Sequence, residues 1–181
     1  LIAGSATQDG GRYDYRELIN EFTAAGAHVH LYSQFRKITS TGQLNNTMDV
    51  EDAYRNLGKP GFVHLRDPIP PGRFVEEWSQ YDAGLLHVPG KKDAFRSLHM
   101  PNRYSAYIAA GLPVTVAAVE MRAMRRQLEK LGAGIIYNSI TELMEQLPDA
   151  SATARIGAVR ESVTLETVFP ELMEFIAGCL P

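Results

Sequence analysis

The sequence has one cysteine, Cys179, in 181 residues. A lone thiol excludes an internal disulfide and any multi-cysteine zinc or iron–sulfur centre within one chain, and it fits a reducing, cytoplasmic setting. Charge of one sign is not in excess: 18 Lys and Arg against 21 Asp and Glu leave a formal net charge of -3 at pH 7. Bulk charge thus gives no reason to expect nucleic acid or an anionic membrane as a partner. No apolar run approaches the length of a bilayer span, and no basic flank followed by a hydrophobic core and cleavage site opens the chain. Internal repeats, low-complexity tracts and flexible linkers are missing as well. What is there is ordinary globular composition, 45% hydrophobic and 22% charged, enough for a single domain over residues 1–181 with one sizeable core. The chain opens at Leu1 in what reads as the middle of a strand, so the expectation is a fragment, the C-terminal half of something larger.

Strand and helix patterns alternate along the chain. Leu1-Ile2-Ala3 reads as a buried strand breaking into a glycine loop that runs from Gly4-Ser5 to Gly11. Asp14 to Ala25 carries Leu18, Ile19 and Phe22 on one helical face, and Ala27 to Tyr32 reads as the second strand. His28 and His30 share a sheet face by period two, but no third ligand stands nearby, so packed or surface histidines are expected rather than a metal pair. Ser33 to Met48 is polar and weakly patterned, which predicts a long loop. A helix over Asp49 to Leu57, a third strand at Phe62 to Leu65, a helix over Arg73 to Tyr81 and a fourth strand over Asp82 to Val88 follow. After a basic loop with Lys91, Lys92 and Arg96 come a short helix, a strand at Val114 to Ala117, a helix from Met121 to Leu131, a strand within Gly132 to Asn138, and helices over Ile140 to Leu147 and Asp149 to Glu161. The last helix carries Val168, Phe169, Leu172, Phe175 and Ile176, with Pro170 expected in its first turn. The fold class is α/β: a doubly wound, mostly parallel, Rossmann-like sheet with helices on both faces. Ligands of such sheets bind beyond the carboxyl ends of the strands, where strand order reverses.

The chemistry concentrates at Met100 to Val116, MPNRYSAYIAAGLPVTV. Pro101-Asn102 suits a helix start, whose N–H groups and partial positive charge favour an anion, and Arg103 adds a fixed cation able to grip phosphate bidentately. The Gly4-Ser5 loop follows the first strand and the Met100 loop follows the fourth, and the doubly wound order brings those two ends together. A diphosphate between them is the expected ligand. Removing Arg103 should then weaken diphosphate binding and leave folding intact.

YDAGLLHVPG, a basic loop and MPNRYSAYIAAGLPVTV together resemble the C-terminal, nucleotide-sugar-binding domain of GT-B-fold glycosyltransferases, in which a pattern like P-x-K-x-x-E-Y-x-A-x-G-x-P-V is common. The resemblance extends over most of the chain, from the opening IAGS loop to the apolar C-terminal helix. It implies that Arg103 takes the place of the family's phosphate-binding Lys, and Gly4-Ser5 that of the glycine turn facing the diphosphate. It also implies Arg12 as a second phosphate cation, Arg66 and Asp67 beside the nucleotide base, and His87 facing the sugar–diphosphate region. The Glu that holds the ribose hydroxyls falls on Ala106, and the acidic residue eight positions earlier falls on Leu98, so ribose recognition would pass to Asn102, Ser105 or Tyr107. The implied reaction is transfer of a sugar from a nucleotide diphosphate donor to an acceptor hydroxyl, without a metal or other cofactor. The implied partners are that donor and an N-terminal domain, which would supply acceptor binding and be the place for any peripheral membrane association. Two other readings stand beside it: half of a nucleotide-sugar epimerase, and a non-catalytic binding or assembly module that kept the fold.

Overall fold

The structure, a computed structural model, describes residues 1–6, 13–38, 44–46, 48–87, 98, 101–147, 156–161 and 165–179. Its strands are β1 (Ile2–Ala6), β2 (Val29–Ile38), β3 (Leu44–Asn46), β4 (Val63–Arg66), β5 (Gly84–Leu86), β6 (Val114–Ala117) and β7 (Gly134–Tyr137). The helices are α1 (Arg16–Ala24), α2 (Met48–Arg55), α3 (Phe74–Trp78), α4 (Arg103–Ala109), α5 (Arg122–Leu131), α6 (Ile140–Gln146) and α7 (Leu165–Cys179). Residues 156–161 are helical too.

The strands form two parallel sheets. In one, β2 lies between β1 and β4, and in the other β6 lies between β5 and β7. The sheets meet edge to edge, where Leu85 N–H donates to the Leu1 carbonyl at 2.8 Å. The next rung of a parallel ladder would join Ala3 N–H to the Leu85 carbonyl. It runs instead through the Tyr107 hydroxyl, which accepts from Ala3 N–H at 3.0 Å and lies 3.4 Å from the Leu85 carbonyl oxygen. The spatial order β4-β2-β1-β5-β6-β7 is that of a Rossmann fold, and the reversal falls between β1 and β5. The phenol that parts the sheet there comes from α4. Its ring rests on Gly84, where an added Cβ would come within 2.3 Å of it.

Alternating side chains cover both faces. Ala3, Tyr32 and Leu86 pack on one side with Trp78, Tyr107, Ile108, Met124, Leu128 and Ile156, drawn from α3, α4, α5 and the 156–161 helix. Ile2, Ala6, Leu31 and Leu85 pack on the other with Ile19, Phe22, Val50, Tyr54 and Leu143 from α1, α2 and α6. Period-two alternation in strands that are buried on both sides produces this double winding. Helix α6 shows the local logic most fully. Ser139 caps it by accepting Glu142 N–H at 3.2 Å, and the Glu142 carboxylate accepts Asn138 N–H at 2.8 Å, a reciprocal cap that holds the Glu142 carboxyl below its usual range.

Three sequence expectations change, the first being that β1 runs on through Gly4 and Ser5 to Ala6, paired with β2, where a glycine loop was expected. The predicted loop from Ser33 to Met48 contains the second half of β2, which runs on to Ile38 and pairs antiparallel with β3. Its polar residues conceal a strand because pairing partners, rather than local hydropathy, decide a strand's length. Helix α7 begins at Leu165, which places Pro170 inside it and beyond the first turn, at the cost of one missing N–H donor. Phe169, Met173, Phe175 and Ile176 of this helix are exposed. The expected helix from Asp149 is described only over residues 156–161, and the basic loop with Lys91, Lys92 and Arg96 lies outside the described residues. No helix among the described residues is long and apolar enough to cross a membrane.

Candidate functional site

The crevice where strand order reverses is built around Arg103, the first residue of α4. Its Nη1 donates to the Ala3 carbonyl and to the Tyr15 hydroxyl at 3.2 Å, and its Nη2 donates to the His87 carbonyl at 3.3 Å. One guanidinium therefore ties β1, the residue capping α1 and the end of β5. Burial opposes its charge, but Tyr15 and Tyr107 more than offset that, and the proton is held more tightly than usual. Its Nε is buried without a hydrogen-bond partner among the described residues. Gly4 lies directly against it: a Cβ there would sit 2.8 Å from Nη1, and φ of +125° is open to glycine and strained for other residues. The glycine in the middle of β1 is thus required both by backbone conformation and by the closeness of the arginine.

His87, at the end of β5, is mostly buried, and its Nδ1 lies 2.8 Å from Glu120 Oε1 on the turn after β6. The His87 ring also lies 6.0 Å from that of Tyr15. Gly4, Arg103 and His87, all expected at the site, meet here with Tyr15 and Glu120, which the sequence reading did not single out. Tyr15 carried a readable signal, since Tyr13-Asp14-Tyr15-Arg16 sets two phenols and a charge pair at a helix start. Glu120 carried none, because its meeting with His87 depends on the β5–β6 pairing.

The other expected residues are spread around this centre. Asn102 is exposed at the start of α4 and makes no side-chain cap. The first-turn N–H groups of Tyr104 and Ser105 turn to the carbonyls of Pro101 and Asn102, at 3.1 and 3.3 Å, and the Ser105 hydroxyl also goes to the Asn102 carbonyl. Tyr107 is fully buried beneath the crevice with its hydroxyl taken by the sheet, and burial pushes that phenol up to about 12. Arg66, the last residue of β4, and Asp67 after it are exposed, and Arg66 Nε lies 3.4 Å from His30 Nδ1. Arg12 and the Ser5 side chain lie outside the described residues.

Beside Gly4, between the sheet and α3, is a cavity of about 210 Å³ walled by Tyr32, Pro68, Ile69, Phe74 and Trp78. A larger one, about 440 Å³, lies at the opposite end of the strands, near Leu1, His28, Tyr81 and Leu143. Along its rim the histidines stack on each other and on Phe62: His30 on His64 at 4.3 Å, His28 on Phe62 at 4.3 Å, with His28 Nδ1 2.9 Å from His64 Nε2. Among the described residues no three His, Cys, Asp or Glu side chains converge in a way that could hold a metal ion.

No family model matches the chain. Over 107 residues it is 26% identical to Glucosyltransferase 3 of Streptococcus parasanguinis, a stretch covering 59% of this chain and 32% of that protein. Its fold matches the O-GlcNAc transferase of Thermobaculum terrenum with a TM-score of 0.60 and 13% identity, over 97% of this chain and 35% of the other. It matches BGT of phage T4, solved in complex with UDP-glucose, with a TM-score of 0.52 and 12% identity, over 88% of this chain and 41% of the other. The chain spans about a third of the length of the curated relative and less than half of each of these structures. In fold, the chain is similar to a Rossmann-like part of GT-B glycosyltransferases.

Proposed function

We propose that this domain binds the donor of a sugar-transfer reaction, a nucleotide diphosphate sugar, in the crevice between β1 and β5. The observation that carries the reading is the seating of Arg103 directly behind Gly4 at the point where strand order reverses. The missing side chain at Gly4 lets the guanidinium seat against β1, where it is a fixed positive charge for the diphosphate that leaves when the sugar is transferred. Arg12 is the second cation of this reading and Asn102 its polar contact at the exposed start of α4. The cavity between Tyr32, Pro68, Ile69 and Trp78 adjoins Gly4 and offers flat apolar walls for a base, with Arg66 and Asp67 beyond it. Tyr107 would shape the crevice from below. An N-terminal domain would bring the acceptor, and the exposed apolar residues of α7 are a surface for it to cover.

One observation favours a non-catalytic binding module. Ala106 supplies no carboxylate for ribose hydroxyls, and Arg103 already spends its Nη groups on the fold. Calorimetric titration with UDP, GDP and UDP-glucose separates the two. Donor binding predicts saturable heat with at least one of them; no heat from any at millimolar concentration would remove the donor reading.

A further inference from the structure

The pair His87 and Glu120 forms a second polar unit in the same crevice. Both side chains are about one-sixth exposed, at 15% and 17%, and they meet at 2.8 Å across the ends of β5 and β6. Three features hold Glu120 in place. Its N–H donates to the Ala117 carbonyl at 2.9 Å, and its own carbonyl accepts Arg125 Nε at 3.0 Å. The next residue, Met121, is the only non-glycine with positive φ among the described residues, at 37°, and its side chain is 2% exposed. Burial of that side chain keeps the backbone in a conformation that L-residues avoid, and the bend returns the chain over the strand ends.

We propose that Glu120 is a positioning residue for His87, setting the ring so that Nε2 accepts a hydroxyl from the sugar of a nucleotide diphosphate sugar. The proposal rests on the donor-binding reading. A carboxylate only accepts hydrogen bonds, so the nitrogen facing it carries the proton. The approach is short but off the hydrogen-bond line, and Nδ1 has no aligned partner among the described residues, which leaves Glu120 as its acceptor. With the single proton on Nδ1, Nε2 is the accepting edge of the ring, and that edge selects a donor group. Sugar hydroxyls donate; the ionised oxygens of a diphosphate do not. The His87 carbonyl is held by Arg103, which places the selecting ring next to the charge assigned to the diphosphate.

The test uses the chain labelled with ¹⁵N-histidine, with long-range ¹⁵N–¹H spectra reading the His87 tautomer and titrations of UDP and UDP-glucose reading affinity. In the unaltered chain the proton should sit on Nδ1, and UDP-glucose, unlike UDP, should move the Nε2 resonance. Glu120→Leu should shift the proton toward Nε2 and weaken UDP-glucose roughly 3- to 10-fold, the size of one neutral hydrogen bond, with UDP unchanged. Glu120→Gln, closer in shape, should weaken it in the same direction by less and serves if the leucine variant does not fold. An unmoved tautomer, or equal losses for UDP and UDP-glucose, overturns the proposal. If the unaltered chain binds neither compound, the donor reading and the sugar contact fail together, while a tautomer shift in the variants still upholds the positioning of His87 by Glu120.

Discussion

Arg103 does two things that are usually separate. It is a cation at the crevice, and it closes the fold there through the Ala3 carbonyl, the Tyr15 hydroxyl and the His87 carbonyl. These contacts run against the expectation that its removal leaves folding intact. Arg103→Ala should lower stability by about 2 to 3 kcal/mol, since it strands buried acceptors as well as losing charged hydrogen bonds. Urea denaturation would show this as a lower midpoint, and an unmoved midpoint would mean the three contacts contribute nothing net. Arg103→Lys should recover less stability than charge alone suggests, because an ammonium cannot span three acceptors as a planar fork does.

Strands β2 and β4 carry a different kind of device, a stack of imidazoles. His30 is pushed down to about 4, first by burial and then by the neighbouring charges of His64 and Arg66, and His64 is lowered by burial and by His28 and Arg66. A histidine that resists protonation in the fold is protonated more readily in the unfolded chain, so the unfolded state binds more protons below the ordinary value of 6.5. Stability is therefore full above that pH and is lost as pH falls from 6.5 toward about 4. His30→Phe keeps the stacking on His64 and Tyr81 and removes one titrating group. Melting temperatures of parent and variant should lie close together above pH 6.5 and separate toward acid pH, the parent falling further; parallel curves would show that His30 does not drive the acid loss.

The domain holds together as a four-stranded and a three-stranded sheet whose seam is the candidate site. At that seam the Tyr107 hydroxyl stands in for a direct ladder bond between Ala3 and Leu85, which keeps the strand ends apart. Tyr107→Phe leaves Ala3 N–H without its acceptor, and it should cost about 1 to 2 kcal/mol with the ring still packed on Gly84. Amide hydrogen exchange would locate the effect: faster exchange at Ala3 than in β6 and β7 is expected. Uniformly faster exchange throughout the chain would mean that the hydroxyl supports the whole domain and not the seam.

Much of the architecture was legible in the residues, because strand alternation and helix periodicity are local patterns and their order along the chain implies double winding. Gly4, Arg103 and His87 could be placed near one another on that basis alone. The extension of β2 was not legible, since its pairing with β3 carries no hydrophobic signature. Neither was the double use of Arg103, whose acceptor on Ala3 is 100 residues away and whose contact with Tyr15 spans 88. Tyr107 belongs with it: its sequence neighbourhood marks a helix, but only the approach of β1 and β5 decides that its hydroxyl lies inside the sheet. Sequence by itself determined the elements and the strand ends that face one another, because those follow from patterns a few residues long. The tertiary structure alone decided which atoms at those ends are spent on the fold and which pair, His87 with Glu120, stands over the seam, because hydrogen bonds between distant segments are settled by packing.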